Sequence, residues 1–147
     1  MSKDALVKKV LFLCTGNSCR SQIAEAMVNA DLNHPWRALS AGTDPAGYVH
    51  PKAIEVLAEI GIQHRGFSQH VDDFQHMDVD MVVTVCDSAA ETCPTWLGKG
   101  NVTHLSFNDP AQVHGTEDEI LTAFRQVRDQ IAEKIPALLE THLNAAT

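Results

Sequence analysis

An α/β fold built on a mostly parallel sheet is predicted by three features of the sequence. Short apolar runs of strand length alternate with segments of helical periodicity. The first run, Val10-Leu11-Phe12-Leu13, is apolar at every position, as in a strand covered on both faces. Residues that carry chemistry sit where strands end: Cys14 after the first, Cys86 at the end of the third and Asp109 after the fourth. In open parallel sheets, ligands bind outside the carboxyl ends of the strands.

The first strand is read over Leu6–Leu13, followed by a short loop, Cys14–Arg20. A helix from about Ser21 to Ala30 places Ile23, Met27 and Ala30 at helical spacing, and Asn33-His34-Pro35 ends it. Arg37–Ala41 is the second strand, closed by Gly42. Pro51 suits the first position of a second helix and Gly61 the residue just past its end, with Ile54, Leu57, Ala58 and Ile60 as its apolar face. Met81–Cys86 and Val102–Phe107 are the third and fourth strands. Thr116 and Glu119 form a capping box for the last helix, whose apolar stripe runs Ile120, Phe124, Val127, Ile131 and Ile135. Pro136 should kink or end that helix, because it lacks an N–H and crowds the preceding turn. Four strands with helices on both faces make a three-layer sandwich.

The 147 residues fit a single domain, 1–147, without repeats or linkers. With 44% hydrophobic residues, the chain buries enough surface to fold without a disulfide or metal staple. Eleven basic against nineteen acidic residues give a formal charge of −8, which disfavours nucleic-acid binding. No run approaches the ~18 apolar residues of a membrane span, and residues 1–9 lack the apolar core of a signal peptide. The expectation is a cytoplasmic monomer, in which four cysteines serve as reduced, catalytic or metal-binding groups rather than structural disulfides.

The loop reads Cys14-Thr15-Gly16-Asn17-Ser18-Cys19-Arg20-Ser21. Cys-x5-Arg alone is a weak pattern. Set between a buried strand and a helix N-terminus, it describes a nest of backbone N–H groups for a tetrahedral oxyanion. Gly16 supplies backbone freedom, and Arg20 offers a fork to two anion oxygens. The positive field favours the thiolate of Cys14, which is the nucleophilic form. Ser21 is placed to donate a hydrogen bond to it, and Asn17 to brace the loop.

Cys14–Ser21 resembles the phosphate-binding loop of the low-molecular-weight protein tyrosine phosphatase fold. With Gln22 added, Cys-Thr-Gly-Asn-Ser-Cys-Arg-Ser-Gln is similar to the thioredoxin-coupled arsenate reductases of that fold. The likeness continues through Ser40-Ala41-Gly42, His50-Pro51-Lys52-Ala53-Ile54, Val82–Cys86, Cys93-Pro94, Asp109-Pro110-Ala111 and Phe124–Asp129. It spans nearly the whole chain in order, and it implies a strand order of 2-1-3-4.

Cys86-x6-Cys93 has neither the zinc nor the thioredoxin spacing. In a helix the two Cα atoms would stand ~10.5 Å apart along the axis, whereas a disulfide tolerates ~4.4–6.8 Å. The segment must therefore unwind to join them, and Asp87–Thr92 holds no bulky apolar anchor against that. Read singly, Cys86 is also consistent with a core thiol and Cys93 with a helix-end residue. The resemblance implies a relay: Cys14 attacks arsenate, Cys86 attacks Cys14, and Cys93 attacks Cys86. An external reductant, thioredoxin or alternatively glutaredoxin, then reduces the pair, and no cofactor is bound.

The resemblance makes Asp109 the general acid, although Asp-Pro also opens ordinary turns. Tyrosine commonly follows Asp-Pro in the phosphatases; here Ala111-Gln112-Val113 follows, and Tyr48 is the only tyrosine, so an aromatic wall for phosphotyrosine is hard to find. Cys19 reads as structural or as a site of off-path oxidation. The eight histidines lack zinc spacing and read as solvated or capping residues, with no metal expected. Some reductases of this type bind potassium. Asn17, Glu25 and Ser40 match its ligands, but His70 stands where those members have Asp. Three readings stay open at this point: an arsenate reductase, a phosphatase acting through phospho-Cys14, and a non-enzymatic oxyanion or arsenite sensor.

Overall fold

A computed structural model describes residues 7–31, 33–87, 96, 98 and 100–145. Four strands, β1 (Lys8–Cys14), β2 (Trp36–Gly42), β3 (Met81–Thr84) and β4 (Asn101–His104), form one parallel sheet in the order β2-β1-β3-β4. Three helices accompany them, α1 (Arg20–Ala30), α2 (Pro51–Ala58) and α3 (Glu117–Ala145). β1 lies between two neighbours, and Val10, Leu11, Phe12 and Leu13 are all fully buried, which accounts for their unbroken apolar run.

Alternation along β1 divides the core between the faces of the sheet. Val10, Phe12 and Cys14 pack with Ile23 of α1, Val56 of α2 and Phe124 and Ile131 of α3. Leu11 and Leu13 pack on the other side with Val71, Phe74, Val79 and Trp96, where a 3-10 turn, Val71–Phe74, covers the sheet. The expected helical layers on both faces are thus seen among the described residues as three α-helices against one short 3-10 turn.

Several element ends differ from those read in the sequence. β3 stops at Thr84, but the chain stays in line: Val85 N–H donates to Leu13 O (2.8 Å), and Phe107 N–H to Val85 O (3.3 Å). β4 is a largely exposed edge strand, so burial does not extend it. The cap of α2 is His50, whose Nδ1 accepts from Lys52 N–H (3.1 Å) ahead of Pro51. The capping box of α3 forms as expected, with Glu119 N–H donating to Thr116 Oγ1 (3.2 Å) and Thr116 N–H to Glu119 Oε1 (3.3 Å).

Pro136 does not end α3, which continues to Ala145. Pro136 and Ala132 both lie on the exposed side, so the carbonyl deprived of its donor faces water. The flanking Ile135 and Leu139 are buried and hold the helix to the core. α2 and α3 are further clamped by Glu59, which receives Arg125 through Nε and Nη2 (2.9 and 2.7 Å) and Arg128 through Nη1 (2.9 Å).

Candidate active site

The 15–19 segment leaves the buried end of β1 and enters α1. Each of its carbonyl groups meets a donor from outside the loop or from the first turn of α1. Thr15 O accepts from Asp44 N–H (3.0 Å), Gly16 O from Ala46 N–H (2.9 Å) and Ser18 O from His50 N–H (3.0 Å). Asn17 O accepts from Gln22 Nε2 (3.1 Å), and Cys19 O from Ile23 N–H (2.9 Å). Across a planar trans peptide, C=O and N–H point in opposite directions. Carbonyls tied outward at 15–19 therefore turn the N–H groups of Gly16 through Arg20 the other way, into a concave nest.

The glycine that this geometry requires is Gly42, at the end of β2. A Cβ there would lie 2.3 Å from Thr15 O, 2.9 Å from Cys14 O and 3.0 Å from Asn17 N. Gly16, expected to supply the unusual backbone, has room for a side chain and no positive φ. The left-handed residue is Asn17, at φ 47°. Asn tolerates that region better than most residues, and here its side chain is fully used.

Hydrogen-bond direction can be traced to the sulfur. Gln69 N–H, which can only donate, meets Asn17 Oδ1 (2.8 Å) and so fixes the orientation of the amide. Asn17 Nδ2 then donates to Ser21 Oγ (2.8 Å). Ser21 Oγ keeps its own proton and lies 2.9 Å from Cys14 Sγ, a contact in which it is the donor once Cys14 is a thiolate. Cys14, Asn17 and Ser21 are all buried. Asn17 thus contacts Ser21, and Ser21 contacts Cys14.

Arg20 is buried, with Nη1 donating to Phe107 O (3.3 Å) and Nη2 3.6 Å from Asp109 Oδ2. Asp109 is itself held by Ala111 N–H, which donates to Oδ1 (3.0 Å). Cys14, Arg20 and Asp109 line one small pocket together with Gly16, Ser18 and Cys19. Thr15 completes the loop through its carbonyl. Burial pushes the Cys19 thiol up to about 12, reinforced by the nearby Asp109 and Cys14, so it stays protonated. Two further residues line the same pocket: Tyr48, mostly exposed, and His50, with ring centres 6.4 Å apart. The segment that ties down the loop carbonyls also carries Tyr48, which places its aromatic side chain on the rim of this pocket.

Leu13 pairs with Thr84, so Cys14 and Val85 are level and Cys86 lies one residue further on the neighbouring strand. Cys86 is buried and disulfide-bonded, while Cys14 and Cys19 are free thiols. Cys93 lies outside the described residues.

The four positions matched to potassium ligands by resemblance, Asn17, Glu25, Ser40 and His70, each have partners within the protein. His70 Nδ1 accepts from Asp72 N–H (3.1 Å) and caps the 3-10 turn. Asn17 Oδ1 is engaged by Gln69, and Ser40 Oγ donates to Glu25 Oε1 (3.3 Å). The other oxygen of Glu25 is faced by His64 Nε2 at 3.7 Å. His64 was expected to be solvated or capping, but its side chain is 8% exposed. The sequence reading placed Gln22, Gly42, the 44–50 segment and Gln69 outside the site, Gly42 only as the close of the second strand; of these, Gln22, Gly42 and His50 fall inside the stretches that carried the family resemblance.

Residues 9–146 match the family model described as low molecular weight phosphotyrosine protein phosphatase. An arsenate reductase of Halalkalibacterium halodurans is 41% identical over 135 residues, which are 91% of this chain and 96% of that protein. A solved arsenate reductase in the phosphate binding state has a TM-score of 0.72 at 29% identity, over 92% of this chain and 98% of its own. The thioredoxin-dependent arsenate reductase of Corynebacterium glutamicum has a TM-score of 0.61 at 26% identity, over 92% of this chain and 63% of that one.

Ser21→Ala removes the proton aimed at Cys14, and we expect iodoacetamide to alkylate Cys14 about tenfold more slowly, the usual size for a lost hydrogen bond to a charged group. Peptide mapping should find Cys19 unlabelled in the native protein. An unchanged Cys14 rate would contradict the traced chain of donors.

Burial also pushes Glu25 up from 4.5 to about 7, against the hydrogen bond from Ser40. Folded protein then keeps a proton that the unfolded chain has lost between about 4.5 and 7, so stability falls as pH rises through that window. Glu25→Gln should flatten this part of the curve in urea unfolding; parallel curves for the two proteins would rule the shift out.

Proposed function

This chain belongs to the low molecular weight phosphotyrosine protein phosphatase family, and we propose that within it the chain is an arsenate reductase regenerated by thioredoxin. The observation that carries this reading is the redox state of two neighbouring cysteines. Cys14 is free in an oxyanion nest, and Cys86, one residue beyond its level on the adjacent strand, is in a disulfide. A phosphatase needs a nucleophile and water; it has no use for a second cysteine that oxidises.

Arsenate binds against the N–H groups of Gly16 through Arg20 and the Arg20 guanidinium. The Cys14 thiolate attacks arsenic, and Asp109 protonates the oxygen that departs as water. The Cys86 thiolate then attacks Cys14 Sγ. The arsenic–sulfur bond breaks, its electron pair stays on arsenic, and arsenite leaves with the valence lowered by two. A Cys14–Cys86 disulfide remains. Cys93 attacks Cys86, frees Cys14 and leaves Cys86 paired with Cys93, which a dithiol protein reduces. A free Cys14 beside a bonded Cys86 is the state this sequence reaches last. The thioredoxin dependence of the Corynebacterium glutamicum neighbour supports the choice of donor.

Tyr48 favours a secondary phosphatase activity on aryl phosphates, because its exposed ring stands on the rim of the same pocket. Phosphate and arsenate share shape and charge, so one nest serves both.

The test is NADPH oxidation in the presence of thioredoxin, thioredoxin reductase and arsenate, with phosphate in place of arsenate as control and glutaredoxin as the alternative donor. Sustained oxidation that requires arsenate and thioredoxin is expected. Cys93→Ser should stop after one turnover with Cys14 and Cys86 joined, as read by peptide mapping. Full multiple turnover by Cys93→Ser would contradict the relay. Aryl phosphate hydrolysis without arsenate-dependent oxidation would make the protein a phosphatase.

A further inference from the structure

Beneath the nucleophile loop, on the side away from the pocket, Gln22 is fully buried at the start of α1. Its Nε2 donates to two backbone carbonyls, Asn17 O (3.1 Å) and Phe67 O (2.8 Å). Carbonyls only accept, so the amide has one orientation and Oε1 faces the other way. Oε1 lies 2.7 Å from His64 Nε2, and that nitrogen must therefore carry a hydrogen and donate it. Glu25 Oε2 lies 3.7 Å from the same nitrogen, beyond hydrogen-bond distance, so Gln22 Oε1 is the acceptor. Space for the pair is reserved by Gly66, where a Cβ would fall 2.3 Å from both Gln22 Oε1 and His64 Nε2.

We infer that His64 is a positioning residue for the nucleophile: its Nε2–H locks Gln22, Gln22 holds the Asn17 peptide in its left-handed turn, and Asn17 aims Ser21 at Cys14. The links are the hydrogen bonds from His64 to Gln22, from Gln22 to Asn17 O, from Asn17 to Ser21 and from Ser21 to Cys14 Sγ. Burial pushes His64 toward the neutral form, so what it supplies is a correctly placed N–H rather than a charge. An apolar residue of similar size would fill the space but leave Gln22 Oε1 without its donor. The amide would then be free to reorient and release Asn17 O.

The inference rests on Cys14 being the nucleophile, as proposed above, but not on arsenate being the substrate. The test compares His64→Leu with His64→Gln, whose amide nitrogen restores a donor at the same reach. Two quantities are measured for each: the rate of Cys14 alkylation by iodoacetamide at neutral pH, and kcat and KM in the coupled assay. His64→Leu should slow alkylation about tenfold, as expected for a lost buried hydrogen bond, and lower kcat more than it raises KM. His64→Gln should stay within about twofold of the starting protein. His64→Asn, polar but too short to reach Gln22, replaces the Leu variant if that one fails to fold. Wild-type alkylation in the loss variant, or equal loss in His64→Leu and His64→Gln, would overturn the inference. Failure of arsenate turnover in every protein, with the alkylation pattern intact, would count against the proposed substrate and not against His64.

Discussion

At the end of β2 the backbone of Gly42 packs against the start of the nucleophile loop more closely than any side chain would allow, with 2.3 Å separating a hypothetical Cβ from Thr15 O. This contact lets the segment that follows β2 lie along the loop and donate to it from Asp44, Ala46 and His50. Those donors turn the carbonyls outward, and peptide planarity turns the N–H groups inward. The anion site is thus a consequence of how one strand end meets another. It needs no charged cluster beyond Arg20.

The nucleophile is prepared by the same packing. Asn17 reaches its left-handed conformation because its carbonyl is held by Gln22 and its side-chain oxygen by Gln69 N–H. From there one chain of directed hydrogen bonds ends on Cys14. The cysteines around the loop are separated by environment. Cys14 receives a donor, Cys19 is kept protonated by burial and by Asp109, and Cys86 is oxidised. Three cysteines on one edge of a sheet are thereby given different chemistry.

Much of this was legible in the residues. The apolar run of β1, the capping box of α3, and the placement of Cys14, Arg20 and Asp109 follow from patterns local in sequence. What escaped was set by contacts between distant segments. Gly16 looked like the special glycine because it lies within the motif, whereas the steric demand falls on Gly42, 26 positions later. That Tyr48 lines the pocket was not legible, because nothing local says that residues 44–50 cross the loop. His64 looked like one of eight unremarkable histidines until its partner, 42 positions earlier, was in view. Pro136 does not stop α3, because the carbonyl that loses its donor faces water and the buried Ile135 and Leu139 hold the helix to the core.

The central claim is that outward-bound carbonyls at 15–19 present the N–H groups of Gly16 through Arg20 to a tetrahedral oxyanion. A titration of the isotope-labelled protein with inorganic phosphate, followed by amide nitrogen and proton resonances, tests it directly. The account predicts large shifts confined to the amides of 16–20, with those of Asp44, Ala46 and His50 little changed because they stay bonded to the loop carbonyls. Saturation by phosphate that leaves the 16–20 amides in place, or moves the 44–50 amides instead, would contradict it.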